Sequence, residues 1–137
     1  MKRFKTKHQA QNLRSHSWIC LECGSHHKTK TKVCQLCGSS RLQYFPSQAE
    51  ARRYGELTLK LKLGVISALE LQPSFPIEAN GILCATYRAD FAYQQDGELV
   101  IEDVKPTTNE RYLDPVFKLK RSLVEALHGV KIRIVKR

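Results

Sequence analysis

Tyr87-Arg88-Ala89-Asp90-Phe91-Ala92-Tyr93-Gln94-Gln95-Asp96-Gly97-Glu98-Leu99-Val100-Ile101-Glu102-Asp103-Val104-Lys105 is the stretch whose reading decides the fold. Two runs of β-branched and aromatic residues flank Gln94-Gln95-Asp96-Gly97, a polar loop with a glycine suited to positive φ, so a hairpin is predicted. Alternation along the second strand puts Leu99, Ile101, Asp103 and Lys105 on one face and Glu102 on the other. The turn brings Asp90 of the first strand back towards Asp103. Two carboxylates and a lysine at the end of a hairpin are costly beside a core unless something compensates their charge. A divalent cation would do so.

Upstream, Ser47 and Glu50 form a capping box, with Ser47 at N-cap and Glu50 at N3, and a helix follows. At about 100° per residue, Glu50, Tyr54, Leu57 and Leu61 fall in a stripe roughly 60° wide, the face expected to meet a sheet. Glu56 lies about 120° from Glu50, beside Arg53 and Lys60, and is expected in solvent. Leu59 and Leu63 make a second apolar edge, and Gly64 is the expected stop. From Val65 to Glu78 a strand bent or broken at Pro73 is expected, because proline suits edges and bulges. Ile82 to Tyr93 reads as one strand, with Cys84 as a small buried hydrophobe. Downstream, Pro106 ends the second hairpin strand. Asp114-Pro115 supplies an N-cap and N1 pair for a helix whose apolar positions are Val116, Leu119, Leu123 and Leu127. A last strand is expected over 130–135. The predicted order is α-β-β-β-α-β, an α/β core with a mixed sheet flanked by helices.

Before this core lie Cys20-Leu21-Glu22-Cys23-Gly24 and Cys34-Gln35-Leu36-Cys37-Gly38. Each pair sits on a tight turn closed by glycine, and the ten residues between them suit a short hairpin arm. Cys20, Cys23, Cys34 and Cys37 match a tetrahedral Zn²⁺ and leave no position for water, so the expected site is one structural zinc in a zinc ribbon. About 25 residues bury too little core to fold alone, and metal binding would supply the missing free energy. His26 and His27 are expected as exposed hairpin residues, four thiolates being sufficient.

The chain has 137 residues and a net charge of +10, with 42% hydrophobic residues, enough for a packed core. Charge is concentrated at the start. Residues 1–45 carry nine Lys/Arg against Glu22 alone, a net of +8; the remainder nets +2. Such concentration points to a polyanion, and DNA is the expected partner. Lys2, Arg3, Lys5, Lys7, Lys28, Lys30 and Lys32 are the expected nucleic-acid contacts. No apolar run reaches the roughly 20 residues of a membrane span and no signal-peptide core is present, so a cytoplasmic protein without membrane contact is expected. Five cysteines, four in metal-type spacing, fit a reducing compartment. The expected domains are a basic arm (1–17), the ribbon (18–44) and the core (45–137).

Hydrolysis of a phosphodiester needs an activated water, neutralised phosphate charge and help for the leaving oxygen. One or two Mg²⁺ ions (or Mn²⁺) held by hard oxygen ligands meet these needs. Asp90 and Asp103 offer such ligands on paired strands, Glu50 on the helix. Lys105 shares the face of Asp103, where an ammonium can orient water and stabilise developing charge.

The order Glu50, then Ala89-Asp90, then Asp103-Val104-Lys105 resembles the P-D-(D/E)-x-K nuclease superfamily, whose core is the restriction-endonuclease-like fold. Ser47-x-x-Glu50-Ala51, Leu71-Gln72-Pro73, Arg88-Ala89-Asp90-Phe91 and Ile101-Glu102-Asp103-Val104-Lys105 are similar, more narrowly, to a phage-encoded domain family related to junction-resolving endonucleases. That resemblance implies that Glu50, Asp90 and Asp103 are metal ligands, Lys105 is catalytic and Gln72 is accessory. It also implies a metal-dependent DNA endonuclease that nicks duplex or cuts branched DNA, in the host-cell cytoplasm if phage-encoded. The chain departs from the superfamily in having Ala89 where a proline precedes the first Asp, and in the ribbon placed ahead of the helix. A resolvase needs two coupled sites, and the Leu59/Leu63 edge is the candidate homodimer seam. The competing reading is a non-catalytic nucleic-acid-binding or regulatory protein that keeps the fold.

Overall fold

The structure is a computed structural model that describes residues 16–137. Lys2, Arg3, Lys5 and Lys7 of the expected basic arm lie outside the described residues. The described residues fall into two compact units, the first ending at Glu56 and the second running from Leu57 to Arg137. Among the described residues no helix is long and apolar enough to cross a membrane.

In the first unit, β1 (Ser17–Cys20) pairs antiparallel with β2 (His26–His27) on one side and β3 (Leu42–Phe45) on the other. Both Cys-x-x-Cys turns close through an N–H of the following glycine. Gly24 N donates to Cys20 O at 2.9 Å and Gly38 N to Cys34 O at 2.8 Å. Both glycines have φ near +75°, where any Cβ would strain the turn. Helix α1 (Gln48–Lys62) starts in this unit and runs on past Glu56; Ser47 caps it as expected, with Glu50 N donating to Ser47 Oγ, while the Ser47 hydroxyl donates to Glu50 Oε1, each at 3.1 Å. It ends at Gly64 in a Schellman arrangement, with Val65 N bonded to Lys60 O and Gly64 N to Leu61 O. Along α1, Leu57 is fully buried, whereas Leu59, Leu61 and Leu63 are exposed. The predicted inward stripe therefore stops short of Leu61. Glu56 is half-exposed as expected and pairs with the buried Arg53 at 2.8 Å.

The second unit is built on a four-stranded mixed sheet in the order β4-β7-β8-β9, comprising β4 (Ser67–Leu71), β7 (Phe91–Gln95), β8 (Glu98–Lys105) and β9 (Ile132–Lys136). β7 is antiparallel to β4 and β8, and β9 joins β8 in parallel. The parallel step is made by α2 (Pro115–His128), capped by Asp114 and closed by Gly129 in the left-handed region. The decisive hairpin forms with Gln95 opposite Glu98 and both Asp96 and Gly97 at positive φ.

Ile82 to Tyr93 is two strands, not one. β6 (Ile82–Arg88) pairs with β5 (Ser74–Ala79) as a separate two-stranded hairpin, and the chain changes sheet at Ala89-Asp90. Asn80-Gly81 turns that hairpin with φ of 51° and 76°, the two-residue turn that suits twisted strands. The element order is thus α-β-β-β-β-β-α-β. Cys84 lies exposed on β6 rather than buried.

The core of this unit gathers Ile77, Tyr87, Ala89, Ala92, Ile101, Val124 and Ile132, with Phe75 and Phe117 packed against them. Val124 and Phe117 are the inward residues of α2. Val116, Leu119, Leu123 and Leu127, the apolar stripe read from the sequence, are exposed. The two sectors lie about 90° apart on the helical wheel, and packing against the β5–β6 hairpin selects the one with the aromatic ring.

Val124→Ala should therefore lower unfolding stability by about 2 kcal/mol, the loss of two methyl groups and a cavity. Leu119→Ser should change it by less than about 0.5 kcal/mol. Urea unfolding checks both, and the reverse ranking would show that the Leu119 side of α2 is the packed one.

Candidate functional site

The sheet splits at one place, and the charged residues collect there. Gln72, between β4 and β5, and Ala89-Asp90, between β6 and β7, are breaks facing each other. Gln72 N donates to Asp90 O at 2.9 Å, and Ala89 N donates to Pro73 O at 3.0 Å. Gln72 reaches this geometry at a φ of 50°, uncommon for a residue with a Cβ. Asp90 N in turn donates to Glu102 O of β8 at 3.0 Å. Gln72 is thus next to Asp90 through its backbone.

The Asp90 carboxylate accepts the Val104 N–H at 2.7 Å. This clamps it against β8 midway between Asp103 and Lys105. Asp103 is 3% exposed. Its Oδ2 accepts the Tyr87 hydroxyl at 2.5 Å and its Oδ1 meets the Lys105 ammonium at 2.6 Å. Burial, then the negative charge of Asp103, raise the Tyr87 phenol far above its ordinary value, so Tyr87 remains a proton donor. Lys105 Nζ also lies 4.3 Å from the centre of the Phe117 ring, while the Arg121 guanidinium stands 5.6 Å from the same ring. Arg121 is fixed by two bonds of 2.8 Å to the Glu110 carboxylate.

Sequence reasoning placed Asp90, Asp103 and Lys105 together, and the second unit brings them together. Tyr87, Phe117 and Arg121 went unassigned. Tyr87 was visible as a tyrosine at the start of the hairpin stretch; Phe117 and Arg121 share an i, i+4 face of α2, but only the fold brings that face to Lys105. Glu102 does lie opposite Asp103, fully buried, and its Oε1 accepts the Tyr93 hydroxyl at 2.5 Å with Arg133 at 3.8 Å. Glu50 belongs to the first unit, where Ser47 engages its carboxylate.

The first unit holds a second constellation. The sulfurs of Cys20, Cys23, Cys34 and Cys37 all lie within 4.8 Å of one another, with Cys20–Cys37 at 3.5 Å and Cys23–Cys34 at 3.6 Å. Ser25 Oγ lies 3.1 Å from both Cys23 and Cys34. His27 Nε2 stands 3.0 Å from Ser25 Oγ and 3.4 Å from Cys34 Sγ, so His27 is turned towards the thiols rather than away. The Ser25 hydroxyl and backbone N–H groups pull Cys34 down to about 5. Cys37, although exposed, receives the Ser39 N–H, and the neighbouring thiols together with partial desolvation outweigh it and push Cys37 up to about 12. Four sulfurs this close cannot all ionise unaided, whereas a divalent ion lets all four do so. The cluster is where a structural metal such as zinc fits.

Residues 39–135 match the family described as protein of unknown function (DUF1064), and the chain belongs to that family. Neither the curated proteins nor the solved structures contain a match.

Two outcomes follow. Metal analysis of purified protein should find about one zinc per chain, and Cys34→Ser should lose it; a folded, zinc-free wild type would refute the assignment. Tyr87→Phe should lower stability by about 1–3 kcal/mol, since it strands a buried carboxylate oxygen. An unchanged urea midpoint would mean water replaces the hydroxyl.

Proposed function

We propose that the chain is a divalent-metal-dependent DNA endonuclease with a restriction-endonuclease-like core. The observation that carries this reading is the buried Asp103 paired with Lys105 two residues on, with Asp90 fastened to the N–H between them. A strand offering a carboxylate and an ammonium on one face, beside a second carboxylate at a sheet break, has the groups that metal-assisted phosphodiester hydrolysis requires.

Asp90 and Asp103 would hold Mg²⁺ or Mn²⁺, for which anionic oxygens are the fitting donors. When bound, such an ion lowers the pKa of a water and neutralises phosphate charge. Tyr87 keeps Asp103 oriented and remains protonated while doing so. Lys105, held between Asp103 and the Phe117 ring, has an ammonium placed to orient the attacking water and to stabilise the growing negative charge. Glu50, assigned to the same set by resemblance, lies in the other unit, and the proposal stands on the second unit's own residues. Cutting of branched DNA or single-strand nicking of duplex remains the favoured activity on the resemblance, and the charge of +10 favours a polyanion.

One observation favours the competing reading of a binding protein that keeps the fold. Lys105 already balances the charge of Asp103 and Tyr87 donates to its Oδ2, although its buried Oδ1 makes no hydrogen bond.

The two readings diverge in one assay. Supercoiled plasmid and a four-way junction are incubated with zinc-loaded protein, with Mg²⁺ added or replaced by Ca²⁺. Mg²⁺ should support cutting, and Asp90→Ala or Lys105→Ala should reduce it by about 100-fold or more. Equal cutting by wild type and Asp90→Ala would overturn the site; tight binding without any cutting would favour the binding protein.

A further inference from the structure

The ribbon carries a surface that the proposed chemistry of the second unit does not use. Trp18 of β1 is paired with Tyr44 of β3 and with His27 of β2, so these side chains project from one face of the sheet. The opposite face supplies the buried Ser17, Ile19 and Phe45. Trp18 and Tyr44 have ring centroids 5.1 Å apart with planes inclined at 54°, and His16 extends the row at 6.0 Å from Tyr44. Tyr44 is 39% exposed, and Trp18 and His16 are partly exposed. Lys30 Nζ lies 5.4 Å from the centre of the Trp18 ring, and Lys28 and Lys32 are exposed on the same loop.

We propose that this face is a stacking platform for the unpaired nucleotides of single-stranded DNA. It deepens the reading of the chain as a DNA-acting protein and rests on it. Lysines alone would serve a duplex as well as a single strand, because both present phosphates. Aromatic rings at the surface gain only when a base has left its own stack, so the combination selects unpaired strand. The inclination between the rings gives each its own base rather than a shared one. Lys30 covers the Trp18 ring in the free chain, and an incoming base displaces its ammonium towards the phosphate that the base carries. His27 ties the platform to the cysteine cluster through Ser25 and Cys34. The substrate class this selects is DNA with an unpaired segment, as at a junction, flap or gap.

Trp18 is the chain's one tryptophan, so its fluorescence reads the platform directly. Zinc-loaded full-length protein, without Mg²⁺, is titrated with oligothymidylate of about 12 nucleotides, within the usual span of such platforms. A blunt duplex of equal nucleotide content and an oligouridylate run beside it. The expected result is saturable quenching by the oligothymidylate, bound about tenfold or more tightly than duplex. Tyr44→Ala should weaken it by about 5- to 100-fold, and Lys30→Ala should reduce the salt slope by about one phosphate. Zinc content and circular dichroism confirm that each variant is folded, and Trp18→Phe, followed by anisotropy of labelled DNA, should retain most binding. Absent quenching, duplex bound equally well, or affinity unmoved by Tyr44→Ala would overturn the platform, and tighter binding of oligouridylate would overturn the assignment to DNA. Because no cleavage is read, a chain that cuts plasmid without quenching loses only the platform. A chain that quenches without cutting loses only the nuclease assignment.

Discussion

The hydrogen bond between Ala89 and Pro73, with its companion from Gln72 to Asp90, governs the second unit. Proline has no N–H to give a ladder, so a strand through residue 73 must either lie at an edge or stop. Here it stops, and the facing chain stops with it. Two strands leave as a hairpin of their own and two remain in the four-stranded sheet. The fork sets a carboxylate at the point where backbone pairing is interrupted. The Val104 N–H, which would otherwise sit without a ladder partner on that side, is taken by Asp90. A polar side chain thus replaces a backbone acceptor, and the substitution fixes its position to within a hydrogen bond.

Charge at this fork is balanced by layers. Asp103 lies among core residues and is compensated by a phenol that burial keeps protonated and by an ammonium resting on an aromatic ring. On the other face of the same strand Glu102 is buried against Tyr93. A central strand with a carboxylate on each side is costly unless each has a hydrogen-bonding partner, and here a tyrosine serves each.

How much of this was legible depended on how local the signal was. The cysteine turns, the Ser47 cap, the Asp114 cap and the hairpin turn are all written within a few residues, and all appear, the turn shortened to Asp96-Gly97 because Gln94 and Gln95 stay in β7. The split of residues 82–93 was harder, because no Gly or Pro interrupts the run and Ala89-Asp90 is only a short dip in strand propensity. The signal for it lay elsewhere, in Asn80-Gly81 and in Pro73, whose consequences reach Ala89 only through pairing. The inward face of α2 was ambiguous for a different reason: Leu119 and Phe117 both look apolar, and only the surface opposite chooses between them. Tyr87 and Phe117 joined the site for the same reason, since the residues they meet, Asp103 and Lys105, lie on β8, a different element, and Arg121 comes with Phe117 on α2.

The parallel pairing of β8 with β9 also gives assembly a temporal order. β7 and β8 meet across a two-residue turn, a contact whose loop-closure entropy is small, whereas β9 must wait for the whole crossover through α2. The carboxylates around Asp90 are therefore brought together early, by local chain, and sealed late by a distant one. Solvent leaves one side of the strand last.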